Sequence, residues 1–159
     1  MGVIRVVWGT ATEPTAMASY DAALAEANIH NYNLVSVSSV VPADATIEVV
    51  GEAPSLGPAG ERLTVVEGRA TVAPGTAERA AAGLGWSREP DGSGIFYESS
   101  GTDPERVRER VDEGLVAGQR LREWEFVDEG RQVVAAEADP DAYTTALVLA
   151  VYGESTPLL

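Results

Sequence analysis

The chain has 159 residues, 45% of them apolar, which suits one domain with a sizeable core and excludes a disordered chain. It holds no cysteine, which excludes disulfides and thiolate metal sites, and no apolar run long enough to span a membrane. Asp and Glu total 25 against 11 basic residues, for a net charge of −14; that balance argues against nucleic acid, whose phosphates require clustered cations.

Residues 3–9, VIRVVWG, read as a first strand, and the Thr/Pro/Glu-rich stretch 10–15 as a loop. The N-terminal stretch lacks the basic leader and long apolar region of a secretory signal, and Val6 stands where a myristoylation signal requires Ser or Thr. A cytoplasmic protein is therefore expected. A helix is expected over 16–28, with Met17, Tyr20, Leu24 and Ala27 as its buried stripe and Asp21 at the edge of that stripe. Residues 33–41 read as one strand and 46–50 as another. The Gly/Pro-rich segment 51–61 is a loop, too short to link two domains.

The stretch 62–72 is strand-like. Residues 78–87 carry helix-forming alanines, but two glycines near the end turn the reading to strand. Residues 93–100, SGIFYESS, form a strand bounded by turn residues. A second helix follows within 101–121, opened by a capping box of Thr102 and Glu105. Its apolar face is Val107, Val111, Leu115 and Val116, and its acids make a solvated face with ion pairs four residues apart. Strands at about 122–128, 131–138 and 143–152 complete the chain, the last as a buried strand. Two helices among many short, mostly antiparallel strands indicate an α+β sandwich. His30, the only histidine, reads as a turn residue, because one His without neighbouring acids makes no metal site.

Ser38 and Ser39 stand near the end of the run HNYNLVSVSSVVP. Strict alternation places Asn33, Val35, Val37, Ser39 and Val41 on one strand face. A hydroxyl on a valine-lined face requires a partner or a purpose. The Ser39 oxygen can attack the adjacent Ser38 carbonyl and convert the amide to an ester. Elimination then leaves dehydroalanine at residue 39, which hydrolyses to a pyruvoyl group. An amide is a poor electrophile, so the site must supply strain or a hydrogen bond to the developing oxyanion, and Asn33 is a candidate donor. Glu98 shares a strand face with Phe96, opposite Ile95 and Tyr97, a placement that suits a carboxyl acting as an acid.

The segment YDAALAEANIHNYNLVSVSSVVP resembles the processing region of the pyruvoyl-dependent arginine decarboxylases. That region has an aromatic-Asp helix, an Asn-x-Asn-Leu run, and Ser-Ser before an aliphatic pair and Pro. SGIFYESSG is similar to the family's second signature, and the order of elements matches over essentially the whole chain. The resemblance implies an αββα sandwich spanning 1–159, assembled as trimers with active sites between neighbouring subunits. It implies cleavage between Ser38 and Ser39 into chains 1–38 and 39–159, with a covalent pyruvoyl group derived from Ser39. It implies that Asn33 assists processing, that Glu98 is the catalytic acid and that Asp21 holds the substrate guanidinium. The implied reaction releases agmatine and CO₂ from arginine. Two departures stand out: His30 where the family often has Gly, and Pro14-Thr15 in place of Thr-Pro at the first helix.

The residues alone leave other readings open. Ornithine, lysine or another amine-bearing acid would require only pocket changes. An uncleaved, non-enzymatic acidic binding or assembly module would keep the fold. A hydrolase with paired carboxylates has less to stand on, since Asp21 and Glu98 lie on separate elements.

All 11 basic residues are Arg, and lysine is absent. An acidic, lysine-free composition resembles proteins of salt-loving organisms. In molar salt the Debye length falls to about 3 Å, and repulsion among the carboxylates is screened. The thermal unfolding midpoint is therefore expected to fall as salt is removed; a midpoint constant from dilute buffer to molar salt would contradict this.

Overall fold

The computed structural model describes residues 2–159. In chain order the elements are β1 (Val3–Glu13), α1 (Ala16–Glu26), β2 (Asn33–Ser36), β3 (Val40–Val41), β4 (Thr46–Gly51) and β5 (Arg62–Val72). There follow β6 (Arg79–Arg88), β7 (Gly94–Gly101), α2 (Pro104–Arg120), β8 (Asp128–Glu137) and β9 (Tyr143–Thr156). One sheet runs β2-β5-β9-β1-β4 and the other β3-β7-β6-β8. All pairings are antiparallel except β1 with β4 and β2 with β5. The result is the αββα sandwich expected from the sequence. No helix among the described residues is long and apolar enough to cross a membrane.

Alternation along the central strands builds the layers. On β9, Leu147, Leu149 and Val151 face α1, where they meet Ala23, Leu24 and Ala27. The intervening Val148 and Ala150 face the second sheet and pack with Leu84, Trp86 and Phe96. That double burial explains why 146–151 reads as continuously apolar. On the far side, Val111 and Leu115 of α2 pack on Ile95.

The glycines of β6 have a packing reason. A Cβ on Gly85 would lie 2.5 Å from Val111 Cγ1, so α2 rests directly on the β6 backbone. The alanine-rich stretch is a strand because its alternate residues Ala82, Leu84 and Trp86 fill the space between the sheets. Gly9 does the same for the first helix: its Cβ would lie 2.1 Å from the carbonyl oxygen of Ala23.

Several boundaries differ from the sequence reading. β1 runs on to Glu13, because its ladder with β9 continues to Tyr143 through the Thr-rich stretch read as loop. α1 stops at Glu26, and Met17 is 75% exposed and not part of the buried stripe, whose members are Ser19, Ala23, Leu24 and Ala27. Thr15 caps α1 by accepting from Ala18 N (3.1 Å), so the Pro-Thr order places a hydroxyl at the cap. α2 is capped by Asp103, which accepts from Glu105 N, and not by Thr102; Pro104 opens the first turn. Val116 is exposed, and the helix's own ion pair, Arg106–Glu109, spans three residues. Residues 122–127 form no strand, since only Val127 N reaches β6, at the Arg88 carbonyl.

The largest correction concerns 33–41, which is two strands in two different sheets. β2 pairs with β5, and β3 pairs with β7. The facing deduced for Ser39 from unbroken alternation does not hold.

Gly9→Ala is expected to destabilise the protein by about 1–3 kcal/mol, because the methyl would meet the rigid Ala23 backbone carbonyl and not the end of a flexible side chain. The measurement is the denaturant midpoint, which should fall with an unchanged slope.

Candidate functional site

Beyond Ser36 the chain leaves β5. Val37 N still donates to Val65 O at 3.0 Å, which is the last backbone bond to β5 before the crossing. Val40 then opens β3 against Ile95 of the other sheet. Ser38 and Ser39 occupy the crossing between the two, outside both ladders.

Three hydrogen bonds fix this crossing. Val40 N–H donates to the Ser38 carbonyl (2.7 Å), Phe96 N–H to the Ser39 carbonyl (2.8 Å), and the Tyr152 hydroxyl to the Val40 carbonyl (3.0 Å). The first closes a tight turn around Ser39 and polarises the one carbonyl that the Ser39 hydroxyl can attack. The hydroxyl donates to Glu98 Oε2 at 3.2 Å. The partner required by a serine at this position is thus a carboxylate. Burial, and then the negative charge of Glu98, push the Tyr152 phenol up to about 12. It therefore remains a proton-bearing donor throughout the physiological range.

Phe96 and Glu98 share the face of β7 turned towards the other sheet, as alternation predicts, while Ile95 turns to α2. Phe96 is buried, but Glu98, further along β7, is exposed in the single chain. A cavity beside the crossing is lined by Ser38, Ser39, Tyr97 and Glu98, and by Leu121 and Arg122 from the end of α2.

Asn33 does not join them. Its side-chain amide donates to Gly60 O (2.7 Å) and ties the start of β2 to the Gly/Pro loop. The donor on the Ser38 carbonyl within this chain is the Val40 backbone. Asn33 instead lines a second cavity with Tyr20, Asp21, His30, Tyr32 and Leu34. Asp21 is exposed on that rim, and His30 lies there in the turn after α1. The structure therefore gathers the predicted residues into two groups, Ser38/Ser39/Glu98 and Asp21/Asn33. Among the described residues no group of three potential ligands forms a metal site.

Behind the second cavity, the Tyr20 hydroxyl donates to Glu67 Oε2 (3.2 Å), and the Arg69 guanidinium lies 4.3 Å from the centre of the Tyr20 ring. Glu67 has a side chain 13% exposed and one oxygen, Oε1, with no hydrogen-bond partner; Arg69 Nε is 3.7 Å from it. Burial raises the Glu67 carboxyl above its ordinary range, and the Tyr20 bond and the Arg69 charge offset this only in part.

The reading from sequence missed Tyr152, Glu67 and the Val40 N–H. Tyr152 carried one signal, a polar-tipped aromatic at the end of an apolar strand. Glu67 depends on a pairing distant in sequence, and the Val40 N–H on a local turn that no residue type announces.

Residues 3–157 match the family model described as pyruvoyl-dependent arginine decarboxylase. A protein of that name from Halobacterium salinarum is 48% identical over 157 residues, covering 98% of this chain and 96% of its own. Proteins of the same name from Pyrococcus furiosus and Methanopyrus kandleri are 36% and 34% identical, over 86% and 95% of this chain and 85% and 97% of their own.

Glu67 binds a proton more tightly in the folded than in the unfolded chain, so its contribution to stability falls as pH rises from the ordinary glutamate value to the raised one. Glu67→Gln mimics the protonated form at every pH. The variant should match wild type in acid and become the more stable of the two as pH rises through that window. Parallel stability curves would refute this.

Proposed function

Because the chain belongs to the pyruvoyl-dependent arginine decarboxylase family, we propose that it cleaves itself between Ser38 and Ser39 and then decarboxylates arginine to agmatine and CO₂. The observation that carries this reading is the crossing itself: a serine hydroxyl hydrogen-bonded to a carboxylate, next to a carbonyl already polarised by a backbone N–H.

In self-processing the Ser39 oxygen bonds to the Ser38 carbonyl carbon, and the C–N bond between the two residues breaks, giving an ester and a free amine. The Val40 N–H supports the negative charge that develops on the Ser38 oxygen. Loss of the residue 39 α-proton breaks the ester's Cβ–O bond. This leaves a carboxylate on Ser38 and dehydroalanine at residue 39. Water then replaces its nitrogen, releasing ammonia and leaving the keto group. The products are chains 1–38 and 39–159 of one folded domain.

The surroundings of residue 39 fit such a group. The Phe96 N–H holds the carbonyl of residue 39, which survives cleavage, and Glu98 already reaches its side chain. A pyruvoyl ketone joined to the substrate amine supplies a sink for the electrons released when CO₂ departs. Glu98 holds the proton that is returned to the former α-carbon. Phe96, buried behind it, limits the approach of water from the core side. Asp21 receives the guanidinium, whose planar fork suits a carboxylate better than an ammonium would.

Asp21 and Ser39 line different cavities of one chain, and this supports a site completed between subunits of a trimer. Asn33 uses its amide nitrogen once, on Gly60, and keeps a second proton for a neighbouring subunit's serine segment. The large negative charge favours a cationic substrate at low salt.

Intact mass tests the reading. Wild type should give two chains split before residue 39 with a keto end group, and Ser39→Ala a single chain of 159 residues. A single chain for wild type would favour an uncleaved binding module. Glu98→Gln can still accept the serine hydrogen bond, so it should be cleaved. It should release agmatine about 10²–10⁴-fold more slowly, the usual cost of losing a general acid. Wild-type turnover by this variant would remove Glu98 from the acid role.

A further inference from the structure

The cavity beside Ser39 contains a cation with no assigned task. Arg122 follows α2, is half-buried and lines this cavity together with Ser38, Ser39 and Glu98. It is the one basic residue on that lining. Two contacts fix it: Nη1 donates to Gly118 O (2.8 Å), and the guanidinium lies 5.4 Å from the centre of the Trp124 ring. A guanidinium has five donor protons, and the Gly118 bond uses one. None of the three ion pairs among the described residues includes Arg122, in a chain with 25 acidic side chains available. A guanidinium tethered on a residue that lines a cavity, with donors left free, is a candidate site for a carboxylate.

We propose that Arg122 binds the α-carboxylate of the amino-acid substrate while its amine engages residue 39, and so makes the site discriminate substrate from product. The proposal rests on the decarboxylase reading above. The α-carboxylate and α-amine share one carbon, so a substrate whose amine reaches residue 39 carries its carboxylate into this same cavity. Glu98 opposes a second anion there, and Arg122 is the group that offsets it.

This contact has a definite energetic signature. It is made with the carboxylate of the bound substrate and weakens as that group becomes neutral CO₂. It therefore lowers KM without adding to kcat. Agmatine has no carboxylate and makes no such contact, so the product leaves without breaking an ion pair. A residue that only caps the end of α2 would alter stability and would not separate substrate from product.

The test uses the full-length, self-cleaved protein. Arg122→Gln and Arg122→Lys are made, and cleavage before residue 39 is checked by intact mass as evidence of a folded crossing. For Arg122→Gln the KM for arginine should rise about 10- to 100-fold, the range expected for a lost charge-assisted bond. Its kcat should not fall, and inhibition by agmatine should keep the wild-type constant. Lysine should restore part of the KM. The proposal is overturned if KM and the agmatine constant rise together, if neither changes, if kcat falls with KM unchanged, or if Arg122→Gln is not cleaved while Arg122→Lys is cleaved and retains the wild-type KM. Wild type that cleaves but does not turn over arginine would instead overturn the decarboxylase reading, before any variant is compared.

Discussion

Everything at the candidate site depends on the passage of one short segment between two sheets. Val37 makes the last backbone bond to β5, and Val40 is the first residue paired with β7 of the four-stranded sheet. A segment inside a ladder has its carbonyls and N–H groups committed to neighbouring strands, and its peptides are held flat. A free loop would have them in water. The crossing is neither. The carbonyls of Ser38, Ser39 and Val40 each have a partner, from the segment itself, from β7 and from β9. The hydroxyl of Ser39 remains with Glu98. Backbone held this closely, but outside a ladder, is where a serine can be aimed at its own preceding carbonyl.

The sandwich keeps that crossing in place. Both sheets bury side chains against each other, with Val148, Ala150, Leu84, Trp86 and Phe96 in the shared layer. Tyr152 is the hinge point between core and site. Its ring meets Phe96 edge-on at 6.1 Å, and its hydroxyl reaches Val40. One such hydrogen bond contributes about 0.5–1.5 kcal/mol net, small beside the packing of the layer. Its effect is directional: it ties the residue after the serine pair to the opposite sheet. The helices come close enough to compress this stack because Gly9 and Gly85 present bare backbone to them.

The second cavity is built differently. Its rim belongs to α1 and the start of β2, and behind it Tyr20 is held between a glutamate and an arginine. On the proposed reading, the serine crossing in one cavity and Asp21 in the other would meet the two ends of a cationic amino acid. Within the single chain the two cavities share no lining residue, and Met17, Val35 and Val37 are exposed.

The sequence by itself determined the helices, most strands, the layer class and the facing of Phe96 against Ile95, because these follow from local period and from residue shape. It also marked Ser38, Ser39, Glu98 and Asp21 as a set worth attention. It misplaced Asn33, since alternation predicts a common face only while a strand continues, and the strand ends at Ser36. It placed Met17 inside because helical spacing marks a stripe without showing where the sheet beneath it stops. The switch of sheets at Val37–Ser39, the carboxylate opposite Ser39 and the Tyr152 tether were decided by the tertiary structure alone. The two side-chain contacts join residues 59 and 112 positions apart, the sheet switch depends on partners in β5 and β7, and no local pattern of the chain records which distant strand a segment will meet.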